Sequence, residues 1–241
     1  SGATASFTNN STVTEAAVFS GANPTITGNT FTAGVTISGN NTTPINNNIQ
    51  SNTFNSTVAV NGSAHDFDGA NNAFNGALTV GAGGTNTTFN QSDINSTFAT
   101  TAGATGVVLT NANIQGAATF DANGTNIDET TFQSTVGGQG DTLTFNTDGE
   151  DDNRNIFNET IDLSGDSVTL NNNTLNANAD VTLSGATASF TNNSTVTESA
   201  TFSGDNPTVR TNTFTAGVTF SGNNTTPINN NIQSNTFNST V

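Results

Sequence analysis

Asn212-Thr213-Phe214-Thr215-Ala216-Gly217-Val218-Thr219-Phe220-Ser221-Gly222-Asn223 contains the pattern on which the whole chain is built. Val218-Thr219-Phe220 alternates apolar and polar side chains, the period of a half-buried strand. Ser221-Gly222 then turns the chain, and Asn212-Thr213-Phe214 is a shorter apolar site bounded by polar residues. The same words return at Asn29-Thr30-Phe31 and Val35-Thr36-Ile37-Ser38-Gly39-Asn40. Further copies of the apolar-Ser-Gly step are Phe19-Ser20-Gly21, Leu163-Ser164-Gly165, Leu183-Ser184-Gly185 and Phe202-Ser203-Gly204, with weaker ones at Val60-Asn61-Gly62 and Val80-Gly81.

A longer repeat encloses the short one. Residues 184–241 restate residues 1–58, with 51 of the 58 positions identical. Two of the seven changes exchange one apolar residue for another, Ile26 for Val209 and Ile37 for Phe220. Near-identical tandem repeats belong to proteins that are built long. Residues 1–183 read as one full long repeat and residues 184–241 as the start of the next, in one continuous array that is a window on a longer chain.

With Leu109, Ile127 and Leu143 filling the middle of the series, the 183-residue repeat holds nine steps of about 20 residues. Two of the steps are long, at 23 and 29 residues, and predict outward bulges around Asn40–Pro44 and Gly81–Asn90. Within a step, a second apolar site follows the turn (Ile26, Phe67, Val168, Phe190, Val209). A third comes after it (Phe31, Phe54, Phe74, Phe157, Leu175, Phe214, Phe237). Three short strands per 20-residue coil, joined by Gly, Asn and Ser, predict an all-β chain folded as a parallel β-helix, or β-solenoid. Inward positions take Val, Ile, Leu and Phe, and outward ones Thr, Ser, Asn and Ala. At about 4.8 Å per coil, one long repeat spans roughly 43 Å.

The Asn-rich turns have two readings. Asn46-Asn47-Asn48 and Asn171-Asn172-Asn173 suit the left-handed backbone of a corner. Their amides can also stack from coil to coil as a hydrogen-bonded ladder; the alternative is a plain surface loop.

Composition narrows the function. Leu, Ile, Val and Phe together number 50 of 241 residues, too few for a thick globular core but enough for a thin one. There is no Cys, Met, Trp, Tyr or Lys, and Arg154 and Arg210 are the only strong cations against 18 acids, for a net charge of −16. That balance argues against nucleic acid and anionic membrane surfaces. No apolar run is long enough to insert in a bilayer.

Few residues are equipped for chemistry. The acid run Asp148, Glu150, Asp151 and Asp152, just before Arg154, is a candidate for Ca²⁺, which takes six to eight oxygen ligands; a solvated acidic loop explains it equally. Gly137-Gly138-Gln139-Gly140-Asp141 resembles the nonapeptide of calcium-binding β-rolls, but Asp141 stands one place early and no second copy follows, so a glycine turn is expected. His65, between Ala64 and Asp66, is the only imidazole and reads as a surface histidine. Asp66 with Asp68, or the acids of 148–152, are the available carboxylate pairs for glycoside cleavage. Without basic residues to line a groove, no enzyme activity and no resident cofactor are expected. Sequons at Asn41, Asn55, Asn95, Asn158, Asn193 and Asn238 follow from the composition. Ice binding would need a Thr-x-Thr in register on every coil. Thr25-Ile26-Thr27 supplies one, and its partner Thr208-Val209-Arg210 breaks the pattern.

The unit Asn-Thr-Phe-x-x-x-Val-x-Phe-Ser-Gly-Asn resembles the passenger regions of giant bacterial surface adhesins and large exoproteins, including VacA-like autotransporters. The resemblance implies secretion, an extracellular or cell-surface location and a role in attachment. The leading expectation is a structural segment of a fibre, stalk or appendage that self-associates into a fibre or homo-oligomer. The alternative is an adhesin module whose loops, such as Asn40–Pro44, bind a glycan or a host receptor. A β-helical polysaccharide-degrading enzyme comes last.

Overall fold

The structure, a computed structural model, describes residues 6–9, 12–42, 48–67, 72–146, 154–193, 195–223 and 231–241. They form short strands and no helix, and every strand pair between them is parallel. The chain divides into two units, Ser1–Gly116 with Asp121–Asn123, and Ala117–Phe120 with Gly124–Val241. Each is a parallel β-solenoid whose coils lay down three strands, one on each of three faces.

In the first unit the first face holds Ser6–Thr8, Thr25–Thr27 and Ile49–Gln50 in one sheet, and Asp66–Phe67, Thr88–Asn90 and Val108–Thr110 in another. The second face runs from Thr12–Val13 through Thr30–Phe31, Thr53–Phe54, Ala73–Phe74 and Asp93–Ile94 to Asn113–Ile114. The third runs from Ala17–Phe19 through Val35–Ile37, Val58–Val60 and Leu78–Val80 to Phe98–Thr100. The second unit repeats the plan. Its first face carries the longer strands Thr142–Asn146, Ser167–Asn171 and Thr187–Thr191. Its third face runs through Val136–Gly138, Ile161–Leu163, Val181–Leu183, Ala200–Phe202 and Val218–Phe220.

Alternation explains the burial. In Val35–Ile37, Val58–Val60 and Val181–Leu183 the outer two residues are buried and the middle one faces out, as a pleated strand with period two requires. In-register parallel pairing then sets like on like. Phe31, Phe54 and Phe74 stack with ring centroids 5.3 and 5.0 Å apart and nearly parallel planes. Phe132 and Phe157 repeat this at 5.0 Å, and Phe214 and Phe237 at 5.3 Å. Each such pair adds about 0.5–1.5 kcal/mol beyond the area it buries. The absence of Tyr and Trp follows from the same geometry: a stacked row in a dry interior has no partner for a hydroxyl or an indole N–H.

One part of the sequence reading needs correcting. Leu109, Ile127 and Leu143 are not on the third face; they lie in first-face strands, paired with Phe89, Phe145 and Val168 respectively. The third-face positions are instead taken by Thr100 in the first unit and by Phe120 and Gly138 in the second. Thr100 is buried because its hydroxyl accepts the Ala122 N–H at 2.9 Å. Gly138 has a φ of 152°, and a Cβ there would lie 2.1 Å from the Phe120 carbonyl oxygen. Neither residue is apolar and large, so a search for apolar-Gly steps passes over both. The expected bulge at Gly81–Asn90 disappears with the correction, since Thr88–Asn90 is an ordinary first-face strand. Of the bulge expected at Asn40–Pro44, Asn40, Asn41 and Thr42 are described and bond to Ser63, Ala64 and Asn23, while Thr43 and Pro44 lie outside the described residues.

The boundary between long repeats leaves no mark on the second unit. Leu183 ends one copy and Ser184 begins the next, yet Ile161 pairs with Val181 and Val181 with Ala200 without a change of register.

Candidate functional site: the coil-to-coil stacking surface

Many of the described polar residues hold each coil to the next. At the corner between first and second faces, three consecutive residues each have a separate part. In Asn171-Asn172-Asn173 the first side chain points outward. Its Nδ2 donates to Asn146 Oδ1 at 2.7 Å, and its Oδ1 accepts from Thr191 Oγ1 at 2.8 Å. Asn172 makes the turn with a φ of 60°. Asn173 is buried and points inward.

The buried asparagines form a ladder. Asn173 Nδ2 donates both to the Phe145 carbonyl at 3.1 Å and to Asn193 Oδ1 at 3.1 Å, and the Asn173 N–H donates to the same Oδ1 at 2.9 Å. Asn193 repeats the pattern on Leu170 and Asn212, and Asn212 on Phe190 and Asn235. Asn155 joins the ladder from the other side, donating to Asn173 Oδ1 at 3.0 Å. In the first unit Asn29, Asn52 and Asn72 form the same ladder. Buried polar groups are costly unless satisfied, and here the amides bond to neighbouring coils, with Asn29 and Asn212 also donating to the Thr27 and Arg210 carbonyls of their own coils. The ladder reading of Asn173 is therefore correct, and so is the left-handed corner at Asn172.

Left-handed corners recur at the same place on coil after coil: Asn9, Gly28, Ser51, Gln91, Asn111, Glu129, Asn172, Asn192, Thr211 and Ser234 all have φ between 50° and 68°. A second amide row runs along the outer surface after the second face. In the first unit Asn75 donates to Asn55, Asn95 to Asn75 and Gln115 to Asn95, at 2.7–2.8 Å. In the second unit Asn158 donates to Gln133 at 2.6 Å, and Asn176 to Asn158.

The third corner is set by glycine. A Cβ added to Gly204 would lie 1.6 Å from the Gly185 carbonyl oxygen, and one on Gly185 would lie 1.7 Å from that of Gly165. Gly39 and Gly62 repeat the arrangement at 1.8 and 2.0 Å from Gly21 and Gly39. The Ser-Gly steps are thus required by close approach of one coil's backbone to the next, not by a special φ.

The residues singled out for chemistry stand apart from one another. Asp148, Glu150, Asp151, Asp152 and Asp68 lie outside the described residues. Among the described residues no three His, Asp or Glu side chains gather where they could hold a metal. Gly137 and Gly138 end a third-face strand, and the Asp141 carbonyl accepts the Ser167 N–H. Asn41 and Asn193 are buried, whereas Asn55, Asn95 and Asn238 are exposed.

His65 is not a surface residue: it is 1 % exposed. Its Nε2 lies 2.7 Å from the Gly39 carbonyl oxygen and its Nδ1 3.4 Å from Asn48 Nδ2. Gly39 O can only accept, so Nε2 carries the hydrogen and Nδ1 is the acceptor. Burial lowers the pKa of the ring, opposed by the hydrogen bond to Gly39. Its neighbours in sequence, the small Ala64 and the acidic Asp66, gave no sign that this position faces inward.

The first face of the second unit also holds hydroxyl rows that the misplacement of Leu143 concealed. Thr142, Ser167 and Thr187 align, as do Thr144, Thr169, Ser189 and Thr208. Between them lies a shallow groove of about 230 Å³, floored by Val168 and Ala188. Asn206 and Thr208 line its edge on the next coil, and Arg210 lies beyond the two rows, beside Thr191.

No family model, no curated protein and no solved structure matches the chain.

Proposed function

We propose that the chain is a structural segment of an extracellular β-solenoid, whose task is to be long and stiff in a fibre, stalk or surface appendage used for attachment. The observation that carries this reading is the repeat boundary at Leu183 and Ser184. There a second copy of the long repeat is joined by the same pairs, the same Asn ladder through Asn173 and Asn193, and the same glycine approach that operate inside a copy. A unit that ends in the surface it begins with can be added again without a new interface. No catalytic group and no cofactor enters this reading. Secretion, the cell-surface location and self-association are parts of the proposal. So is contact with a glycan or surface receptor through the loops, Asn40–Pro44 among them.

Electron microscopy of the intact protein from its native surface is the test. Filaments with an axial period near roughly 43 Å, nine coils at the strand spacing, are expected. Compact particles without that period would overturn the proposal.

A further inference from the structure

The row of inward residues that opens the first-face strands in the first unit is Pro24, Asn48, His65, Thr87 and Val107, so its middle is polar. At that level Ile49–Gln50 and Asp66–Phe67 belong to separate sheets. A side chain bridges them: the Asp66 N–H donates to Asn48 Oδ1 at 2.8 Å, while Asn48 Nδ2 donates to the Pro24 carbonyl at 2.9 Å. These two bonds fix which way the Asn48 amide points, and it presents N–H to His65 Nδ1. The residue before the histidine, Ala64, is held at a φ of 58°, where other coils of this unit place Asn23, Asn86 and Gly106. Alanine gains nothing from that conformation, so the corner is strained.

We propose that His65 is an acid-sensitive fastener between two coils, and that proton uptake by its ring breaks the Asn48 bridge between the Ile49–Gln50 and Asp66–Phe67 strands and opens this seam locally. The hydrogen-bond inventory carries the inference. A protonated ring has two donors, and its Nδ1–H would face the donor Nδ2 of Asn48. Rotating the Asn48 amide brings Oδ1 to the ring, but sets it against the Pro24 carbonyl and turns Nδ2 to the Asp66 N–H. Either orientation leaves mismatched buried pairs.

Among the described residues of the elements around the ring, no counter-charge relieves this. The elements around the ring are residues 38–42, the strand Ile49–Gln50 with Asn48, residues 61–64 of its own coil, and Thr87 with the strand Thr88–Asn90. Their described residues include no acid or base. Asp66, next in sequence, occupies the alternate, half-buried position of the strand, with Phe67 buried beside it. The Thr87 hydroxyl is itself buried without a hydrogen-bond partner, a further sign that the packing here is marginal.

The lowered pKa has the matching sign. The native ring binds a proton less readily than the unfolded one, so the seam is whole above the ordinary histidine value of about 6.5 and weakens as the pH falls through it. His65 is the only histidine, so no other imidazole titrates there. The seam operates whether or not the chain builds fibres.

Amide hydrogen exchange on the full chain at about pH 7.5 and about pH 5, each normalised to the intrinsic rate, tests it. Wild type is expected to lose protection at low pH in peptides covering Asn61–Phe67, where the Asp66 N–H bonds to Asn48, and to keep it in Thr187–Arg210. His65→Gln retains a donor for Gly39 and does not titrate, so its protection should be level across the two conditions. The His65 ring carbon-bound protons, followed by NMR in wild type, should titrate below the free histidine value, and this measurement stands even where the variant does not fold. Equal normalised protection at both pH values, or a ring that titrates at or above the free value, would overturn the proposal.

Discussion

Asn193 Oδ1 accepts two hydrogen bonds from one residue of the neighbouring coil, the N–H and the Nδ2 of Asn173, at 2.9 and 3.1 Å. Asn193→Ala removes the acceptor for both and the donor for the Leu170 carbonyl. Buried groups left without partners should cost about 2–4 kcal/mol, read as a lower urea midpoint. Asn193→Asp keeps the acceptor but loses the donor and buries a carboxylate. Burial raises that carboxyl's pKa, so the native state holds the proton more tightly than the unfolded one. The Asp variant should therefore be weakest at neutral pH and recover part of its stability as the pH falls through the raised value. Urea midpoints at both ends of that range check the sign.

Glycine substitutions should separate the third corner from the rest. In Gly204→Ala the new methyl meets the Gly185 carbonyl oxygen, which cannot move without shifting the coil beneath it. A loss of about 3 kcal/mol is expected, at the upper end of overpacking. Gly217→Ala places its methyl 3.5 Å from Thr240 Oγ1, an ordinary contact, and should stay within about 0.5 kcal/mol of wild type. Thermal or urea denaturation of the pair decides whether close approach or loss of glycine as such is responsible.

Most of the fold is legible in the sequence because parallel stacking maps one coil onto the next, and so turns three-dimensional neighbours into a period of about 20 residues. Phe31, Phe54 and Phe74 can be placed together on that ground alone. The period failed where an inward slot holds a residue that does not look inward. Thr100 is buried through its hydroxyl, and Gly138 leaves room for the Phe120 backbone. His65 is the same failure on the first face: a polar residue in a slot that Pro24 and Val107 also fill, buried because Asn48 and Gly39 satisfy both ring nitrogens. The Asn ladder was visible as a possibility, but which asparagine of three points inward depends on the left-handed residue between them.

The two apolar differences between long repeats fall in equivalent positions of one coil. Ile26 and Ile37 in the first copy become Val209 and Phe220 in the second, so a smaller residue on the first face accompanies a larger one on the third. Phe220 stacks on Phe202 with centroids 5.3 Å apart. Ile26→Val alone should cost about 1 kcal/mol through the lost methylene, and Ile37→Phe alone about 1–3 kcal/mol through crowding. The double substitution should cost less than the sum by at least about 0.5 kcal/mol. Strict additivity in a double-mutant cycle would show that the two changes arose independently.

A β-branched residue is poorly suited to the left-handed region, yet Thr211 has a φ of 58° where the first copy has Gly28 at 68°. The difference in side-chain surroundings explains how. Beside Gly28, a Cβ would lie 2.8 Å from Asn9 Oδ1. In the second copy the residue equivalent to Asn9 is Asn192, whose Nδ2 is drawn to Asn171 Oδ1 on the preceding coil, away from this corner. Thr211 therefore bears the backbone strain but not the clash. Thr211→Gly should stabilise the chain by roughly 1 kcal/mol, the relief of the left-handed strain less the added freedom of the unfolded glycine. Gly28→Thr should destabilise it by more than Thr211→Gly stabilises, because the clash with Asn9 is added to the strain. Equal and opposite shifts in the denaturation midpoints of the two variants would mean that backbone strain alone decides this corner and that the Asn192–Asn171 bond has no part in it.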